Sequence, residues 1–421
     1  MGSARRNDRT SASHVYLIPG FLGFANLGQI AYFGHVRRIL ATSLAAAGLD
    51  ARIHIVHTSA TASLPRRAAR VAETIAATAR DDTGPLHLIG HSSGGLDARL
   101  FTAPEVALPT SRDVERLAAR VQSVVTIATP HHGTPLASFF TTLRGQQLLQ
   151  LLSLLTIYML HFGHLPLAGL LWMGSRFVRL GDLVASSELL DELFGRLLED
   201  FTAARRRSVR AMLRDVVHDQ ALMLQLTPEA MEVFNASVLP RPGVRYGAVV
   251  AEAAHPTLWS TFAVGLDPAA QVTHAIYGVL YRLTAATPHY LSPRLAPEVA
   301  RLLRHAYGAT SSAAANDGIV PTRSQAWGPV LHAAIADHLD VLGHFRDASH
   351  DPPHVDWLVT GSGFDRARFE ALWSDITRFL TAGADATEVP ASPARDVTSR
   401  VRRDRPAAHD LKGGAHGGRH T

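Results

Sequence analysis

Two hydrophobic rhythms alternate along the first third of the chain. HVYLI (14–18), ARIHIV (51–56), LHLI (86–89) and VQSVVTIAT (121–129) are short β-branched runs, continuous or period-2 in apolar character, which reads as strands buried on both faces. Between them FGHVRRILATSLAAAG (33–48) and PRRAARVAETIAATAR (65–80) repeat at helical spacing, the second opening on a proline that suits a first helical turn. Strand, helix, strand, helix at this spacing predicts a parallel sheet with right-handed crossovers. VRYGAVVA (244–251) and PVLHAAIA (329–336) extend the sheet, and RARFEALWSDITRFL (366–380) reads as a closing helix.

Two regions depart from this rhythm. From about 135 to 238 the pattern is almost wholly helical, which predicts an inserted helical cap or lid rather than another layer of sheet. Residues 1–13 read as a flexible start, 14–382 as the folded domain, and 383–421, with DATEVPASPARD and GGAHGGRHT, as a disordered polar tail. Within the insertion, GQQLLQLLSLLTIYMLHFGHLPLAGLLWMGS (145–175) has no Asp, Glu, Lys or Arg. GHLP (163–166) should break it into segments too short to span a bilayer comfortably. Gln146, Gln150, Ser153, His161 and His164 fall on one narrow stripe, leaving a broad apolar face. The first reading is a lid or interface-binding hairpin; buried core and membrane insertion are the alternatives.

Composition narrows the chemistry. With no cysteine, the chain can form no disulfide, thiolate nucleophile or cysteine metal site. The formal charge of +5 suggests an anionic partner, yet many arginines lie in the terminal segments and in RRRSVR (205–210) without interleaved aromatics, so nucleic-acid binding is not expected. Arg205, Arg206, Arg207 and Arg210 read first as a solvated helix face and second as a contact for anionic headgroups. The first twenty residues lack the apolar core of a secretory signal, so the expected location is cytoplasmic or peripheral to a membrane.

The chemistry concentrates in LHLIGHSSGGLDAR (86–99). Gly90-His91-Ser92-Ser93-Gly94 fits G-x-S-x-G, a strand-to-helix turn that strains the serine backbone and exposes its hydroxyl at a helix N-terminus. Serine needs a base, and the base an orienting carboxylate, in the chain order Ser, Asp or Glu, His. Asp317 in ANDGIVP (315–321) and His338 in ADHLD (336–340) fill those places, with Asp340 as the rival carboxylate and His344 as the next base. His332 falls inside a strand, and His350 and His354 in a later polar loop; His131 and His132 read as rim residues beside the site. The backbone N–H groups of Ser93 and of Phe21, in LIPGFLGF (17–24), are the expected oxyanion donors.

LIPGFLGF and the segment through residue 48, LHLIGHSSGGLDAR, VVTIATPHHGTPLASFF, LTPEAMEVFN and NDGIVP followed by DHLD resemble the bacterial triacylglycerol lipases of the Pseudomonas and Burkholderia group, in the same order over most of 14–345. The resemblance implies an α/β-hydrolase fold, carboxylic-ester hydrolysis, a helical lid, the triad Ser92, Asp317 and His338, and an oxyanion hole at Phe21 and Ser93. Where those lipases read His-Gly, this chain has Pro19-Gly20. The resemblance also implies a structural calcium near the histidine, with Asp340 as one ligand. Ser292, in LSPRL (291–295), stands where the second acid belongs, so the expected site is one carboxylate short for a hard cation. No organic cofactor is required. The substrate class is a lipid or other fatty-acyl ester. Thioesterase, phospholipase A-type hydrolase and acyltransferase are the enzymatic alternatives, and a membrane-associated binding protein with an inactive hydrolase fold is the non-enzymatic one.

Overall fold

The computed structural model describes residues 12–21, 32–80, 82–162, 192, 195–257, 260, 264, 265, 267–286, 292–356 and 358–382. The chain divides into two units, Met1–Val389 and Pro390–Thr421, and everything described belongs to the first. The expected flexible start up to residue 11, residues 163–175 of the apolar segment and the tail from 383 lie outside the described residues.

Six strands form one sheet: β1 Ser13–Ile18, β2 Ala51–Ile55, β3 Leu86–His91, β4 Val121–Ile127, β5 Arg245–Glu252 and β6 Val330–Ile335. Their order is β2-β1-β3-β4-β5-β6, and every neighbouring pair is parallel. The central strands have the continuous apolar character that burial on both faces demands: β1 and β3 are buried at every position.

The crossovers are helical. α1 (Gly34–Ala46) joins β1 to β2, and α2 (Leu64–Thr78) joins β2 to β3. Pro65 sits in the first turn of α2, whose buried stripe Leu64, Ala68, Val71, Ala72 and Ile75 follows helical spacing. α3 (Ser93–Thr102) follows β3 directly, and α4 (Val114–Ala118) leads into β4. α13 (Arg366–Thr381) closes the fold, with the Asp365 side chain accepting from the Arg368 N–H as its cap.

Between β4 and β5 the described insertion is helical: α5 Pro135–Phe140, α6 Leu143–Phe162, α7 Ala203–His218, α8 Ala221–Gln225 and α9 Pro228–Ser237. In the described part of the apolar segment, the expected polar stripe fails at one position. Leu148, Leu151, Leu152, Leu154, Leu155 and Ile157 are all buried along α6, which packs against α5 and α7. Ser153, expected on the polar stripe, is buried too and returns its hydroxyl to the Leu149 carbonyl at 2.7 Å. No helix among the described residues is long and apolar enough to cross a membrane.

β5 is followed by α10 (Pro268–Thr284), α11 (Pro297–Tyr307) and the short α12 (Thr322–Gln325), which precede β6. A mainly parallel sheet with helical crossovers, carrying a strained serine between β3 and α3, is the α/β-hydrolase fold.

Candidate active site

Ser92 occupies the one-residue turn between β3 and α3, with φ 55° and ψ −131°. A left-handed φ is costly for a residue with a Cβ, and it persists here because both flanks are fixed. The Ser92 N–H donates to the Ile127 carbonyl at 2.8 Å, and its carbonyl accepts from the Gly95 N–H at 3.0 Å. The spacing of the motif has a steric cause: a Cβ on Gly90 would stand 2.3 Å from the Gly94 carbonyl oxygen.

The other pieces gather at the same carboxyl edge. The chain leaving β1 passes Ser92 so closely that a Cβ on Gly20 would lie 2.5 Å from the Ser92 Cβ and 3.0 Å from its Oγ. Asp317 precedes α12 and is held at the end of β5, where the Ala253 N–H donates to the Asn316 carbonyl at 2.9 Å. His338 follows β6, and its N–H donates to the Asp317 carbonyl at 3.0 Å.

Asp317 is fully buried and every one of its carboxylate contacts is a donor. Oδ1 accepts from the N–H groups of Ile319 (2.9 Å) and Val320 (2.7 Å). Oδ2 accepts from His338 Nδ1 (2.8 Å) and from Gln325 Nε2 (3.1 Å). The bond to Nδ1 puts the imidazole proton there and leaves Nε2 with its lone pair. Asp340, the rival acid, instead accepts from the Asp337 N–H and the Ser362 hydroxyl. His344, the second candidate base, donates through Nε2 to the Tyr32 carbonyl at 3.3 Å. His332 lies on β6 and pairs with Asp375 at 2.8 Å.

Three positioning groups escaped the sequence reading. His91, fully buried before Ser92, accepts from the Tyr32 hydroxyl at Nδ1 (2.6 Å) and donates from Nε2 to the His338 carbonyl (2.8 Å). Burial, then the nearness of His338, holds its pKa well below the ordinary value, so it stays neutral, as this bonding requires. Tyr32 and His91 thus form one chain of hydrogen bonds that ends on the His338 carbonyl. Gln325 donates to Asp317, Val320 and Ala251 and accepts from the Ala251 N–H. Arg67 and Asp97 form a fully buried ion pair at 2.7 Å, and Arg67 Nη2 also donates to the Pro19 carbonyl at 2.7 Å. In one sequence none of these has a signature: Tyr32, Arg67 and Gln325 lie in helices or loops whose approach to the site is set by tertiary packing.

Two other expectations are corrected. His131 is not at the rim: it is fully buried, bonded to Arg99 and Thr126 and stacked on Trp327, while His132 is half-buried. Nor is Ser292 the counterpart of Asp340. It lines a cavity with Pro329 and Val330, at the amino end of β6, whereas Asp340 lies beyond the carboxyl end.

Asp340 groups instead with Asp337 and Asp356, with one oxygen of each within 4.8 Å of the others. Burial first, then mutual repulsion, raises the carboxyl pKa of Asp337 and Asp356, and burial raises that of Asp340. Asp337 Oδ1, Asp340 Oδ2 and Asp356 Oδ1 take the N–H and hydroxyl donors, leaving each carboxylate its other oxygen. Three clustered carboxylates, each keeping an oxygen that takes no hydrogen-bond donor, whose joint ionisation needs a compensating charge, fit a hard divalent cation such as calcium.

No family model matches the chain, and no curated protein matches it. Among solved structures it is similar to the Staphylococcus hyicus lipase, at 16% identity over 90% of this chain and 98% of that one, with a TM-score of 0.48. Lipase 1 from Pelosinus fermentans matches at 16% identity over 89% and 99%, TM-score 0.49, and EstA from Clostridium botulinum at 16% over 88% and 87%, TM-score 0.49.

Proposed function

We propose that this chain is a serine carboxylic-ester hydrolase acting on acylglycerol or other fatty-acyl esters, in the manner of the bacterial triacylglycerol lipases it resembles. The observation that carries the reading is the 2.8 Å bond from His338 Nδ1 to the buried Asp317, at the sheet edge where Ser92 sits strained. His338 Nε2 takes the Ser92 proton as Oγ attacks the ester carbonyl, and the N–H groups of Phe21 and Ser93 receive the oxyanion. Collapse of the tetrahedral intermediate breaks the C–O bond, and His338 returns its proton to the departing alcohol. Water, deprotonated by the same imidazole, then releases the fatty acid and restores Ser92.

Calcium, when held by Asp337, Asp340 and Asp356, would supply the charge that lets the three carboxylates ionise together and so fix the turn after His338. The insertion leaves β4 at the carboxyl edge through Thr134, and we assign it to covering the acyl-binding side. In support of contact with a lipid surface, four of the five large apolar residues exposed among the described residues, Leu143, Leu224, Val233 and Leu239, belong to the segment between β4 and β5.

A fluorophosphonate probe tests the chemistry: it labels the wild type and not Ser92→Ala, and absence of labelling in both overturns the hydrolase reading in favour of a silent binding module. p-Nitrophenyl esters of rising chain length and emulsified triglyceride, with and without chelator, define the substrate. Activity confined to short soluble esters reduces the lipase to an esterase.

A further inference from the structure

We propose that His35, His350 and His354 bind one divalent transition-metal ion of the zinc class, clamping the loop around 347–354 to α1. The three imidazoles each offer a nitrogen within 4.8 Å of the others, and no carboxylate belongs to the group. His35 and His354 stack with ring centroids 3.7 Å apart, and His350 stands 5.2 Å from His354 and 6.1 Å from His35. An all-imidazole set suits zinc, cobalt or nickel and not calcium or magnesium, which separates this site chemically from the aspartate trio.

The surrounding bonds prepare the lone pairs. His354 donates from Nδ1 to the Gly343 carbonyl at 2.6 Å, and His350 from Nδ1 to the Pro352 carbonyl at 3.1 Å. In each ring this leaves Nε2 free to ligate, with the outer hydrogen bond that orients most metal-bound histidines. Arg38 already joins the two segments by donating to the Asp351 carbonyl at 2.8 Å; its other contact, to His35 Nδ1, is long at 3.4 Å and is given up on ligation. Tetrahedral zinc places ligand nitrogens about 3.4 Å apart, so closure takes side-chain shifts of about an ångström. The fourth position is left to water.

The inference does not depend on the hydrolase reading. Chelator-stripped full-length protein is titrated with Co²⁺, and its visible d–d bands are expected to saturate at one equivalent, to yield to Zn²⁺ and to ignore excess Ca²⁺. His350→Ala and His35→Gln are each expected to abolish the bands and the Zn²⁺-induced rise in Tm. No bands in the wild type, or bands that persist in both variants, overturns the proposal. In the unaltered protein Zn²⁺ is expected to protect His350 from diethyl pyrocarbonate, and modification at an unchanged rate overturns it equally.

Discussion

His91 grips His338 through the main chain. The ring immediately before Ser92 donates to the His338 carbonyl at 2.8 Å, so the nucleophile turn and the base loop are registered to each other apart from any substrate. His91→Phe keeps the bulk but strands two buried polar groups, the Tyr32 hydroxyl and the His338 carbonyl, at about 1–3 kcal/mol each. The expected result is a Tm drop together with a loss in kcat on the order of 100-fold at nearly constant KM, since misplacement by about an ångström costs that much. A rise in KM with unchanged kcat would reassign His91 to substrate binding.

Ser92 stores strain in its left-handed backbone. Ser92→Gly should stabilise the fold by about 1 kcal/mol, through relief of that conformation, while eliminating fluorophosphonate labelling. Urea denaturation reads the first effect, and a variant less stable than Ser92→Ala would contradict it.

Asp97 neutralises a guanidinium that has no access to water. Asp97→Ala should cost about 3–5 kcal/mol by leaving the Arg67 charge buried and unpaired. Arg67→Met with Asp97→Leu should recover most of that stability but not the activity, because the Pro19 carbonyl beside the proposed oxyanion site loses its anchor. Full activity in the double variant would show that the pair serves stability alone.

Acid should unfold the protein through its buried neutral histidines. His87, bonded to Ser123 Oγ at 2.8 Å, is pushed down to about 4 by burial and then by Arg245. Its folded pKa lies below the unfolded value of about 6.5, so its contribution is complete above pH 6.5 and is lost as pH falls towards 4, up to about 3 kcal/mol. His344, also at about 4, has the same sign, whereas Asp97, raised to about 6, opposes them by taking up a proton in the folded state. Urea midpoints from pH 7 to 4.5 should fall, and His87→Asn should flatten the slope.

The exposed apolar residues of the insertion should matter only at a lipid surface. Leu143→Ser with Leu224→Ser, at positions 82% and 57% exposed, should leave hydrolysis of a soluble short-chain ester unchanged and reduce turnover of emulsified triglyceride several-fold. Equal loss on both substrates would place these side chains in the fold rather than at an interface.

All six strands were legible in the sequence to within two residues, because double-sided burial writes itself as short apolar runs between helical periods. The same pattern logic misplaced Ser153 in α6. Helical periodicity gave Ser153 a polar face to stand on, but a hydroxyl that bonds back to Leu149 needs no solvent, and Ser153 is buried. Ser92, Asp317 and His338 carried local signals, a glycine-flanked turn and two strand ends. Tyr32 and Arg67 carried none, since hydrogen bonds spanning tens of residues leave no spacing to read, and Gln325, although only eight residues from Asp317, belongs to no motif that marks it. The aspartate trio shows both sides: Asp340 was visible beside His338, whereas Asp356 comes later in the chain with no spacing that ties it to the other two.

α3 runs from the Ser92 turn back to Thr102 at the opposite edge of the sheet, so the exposed connection around Arg112 faces away from every group proposed for catalysis. The chain contains no cysteine, and Arg112→Cys therefore introduces a thiol with no competitor. Coupled to a thiol-reactive support, all molecules would be attached in one orientation, with the working edge turned outward to whatever flows over it.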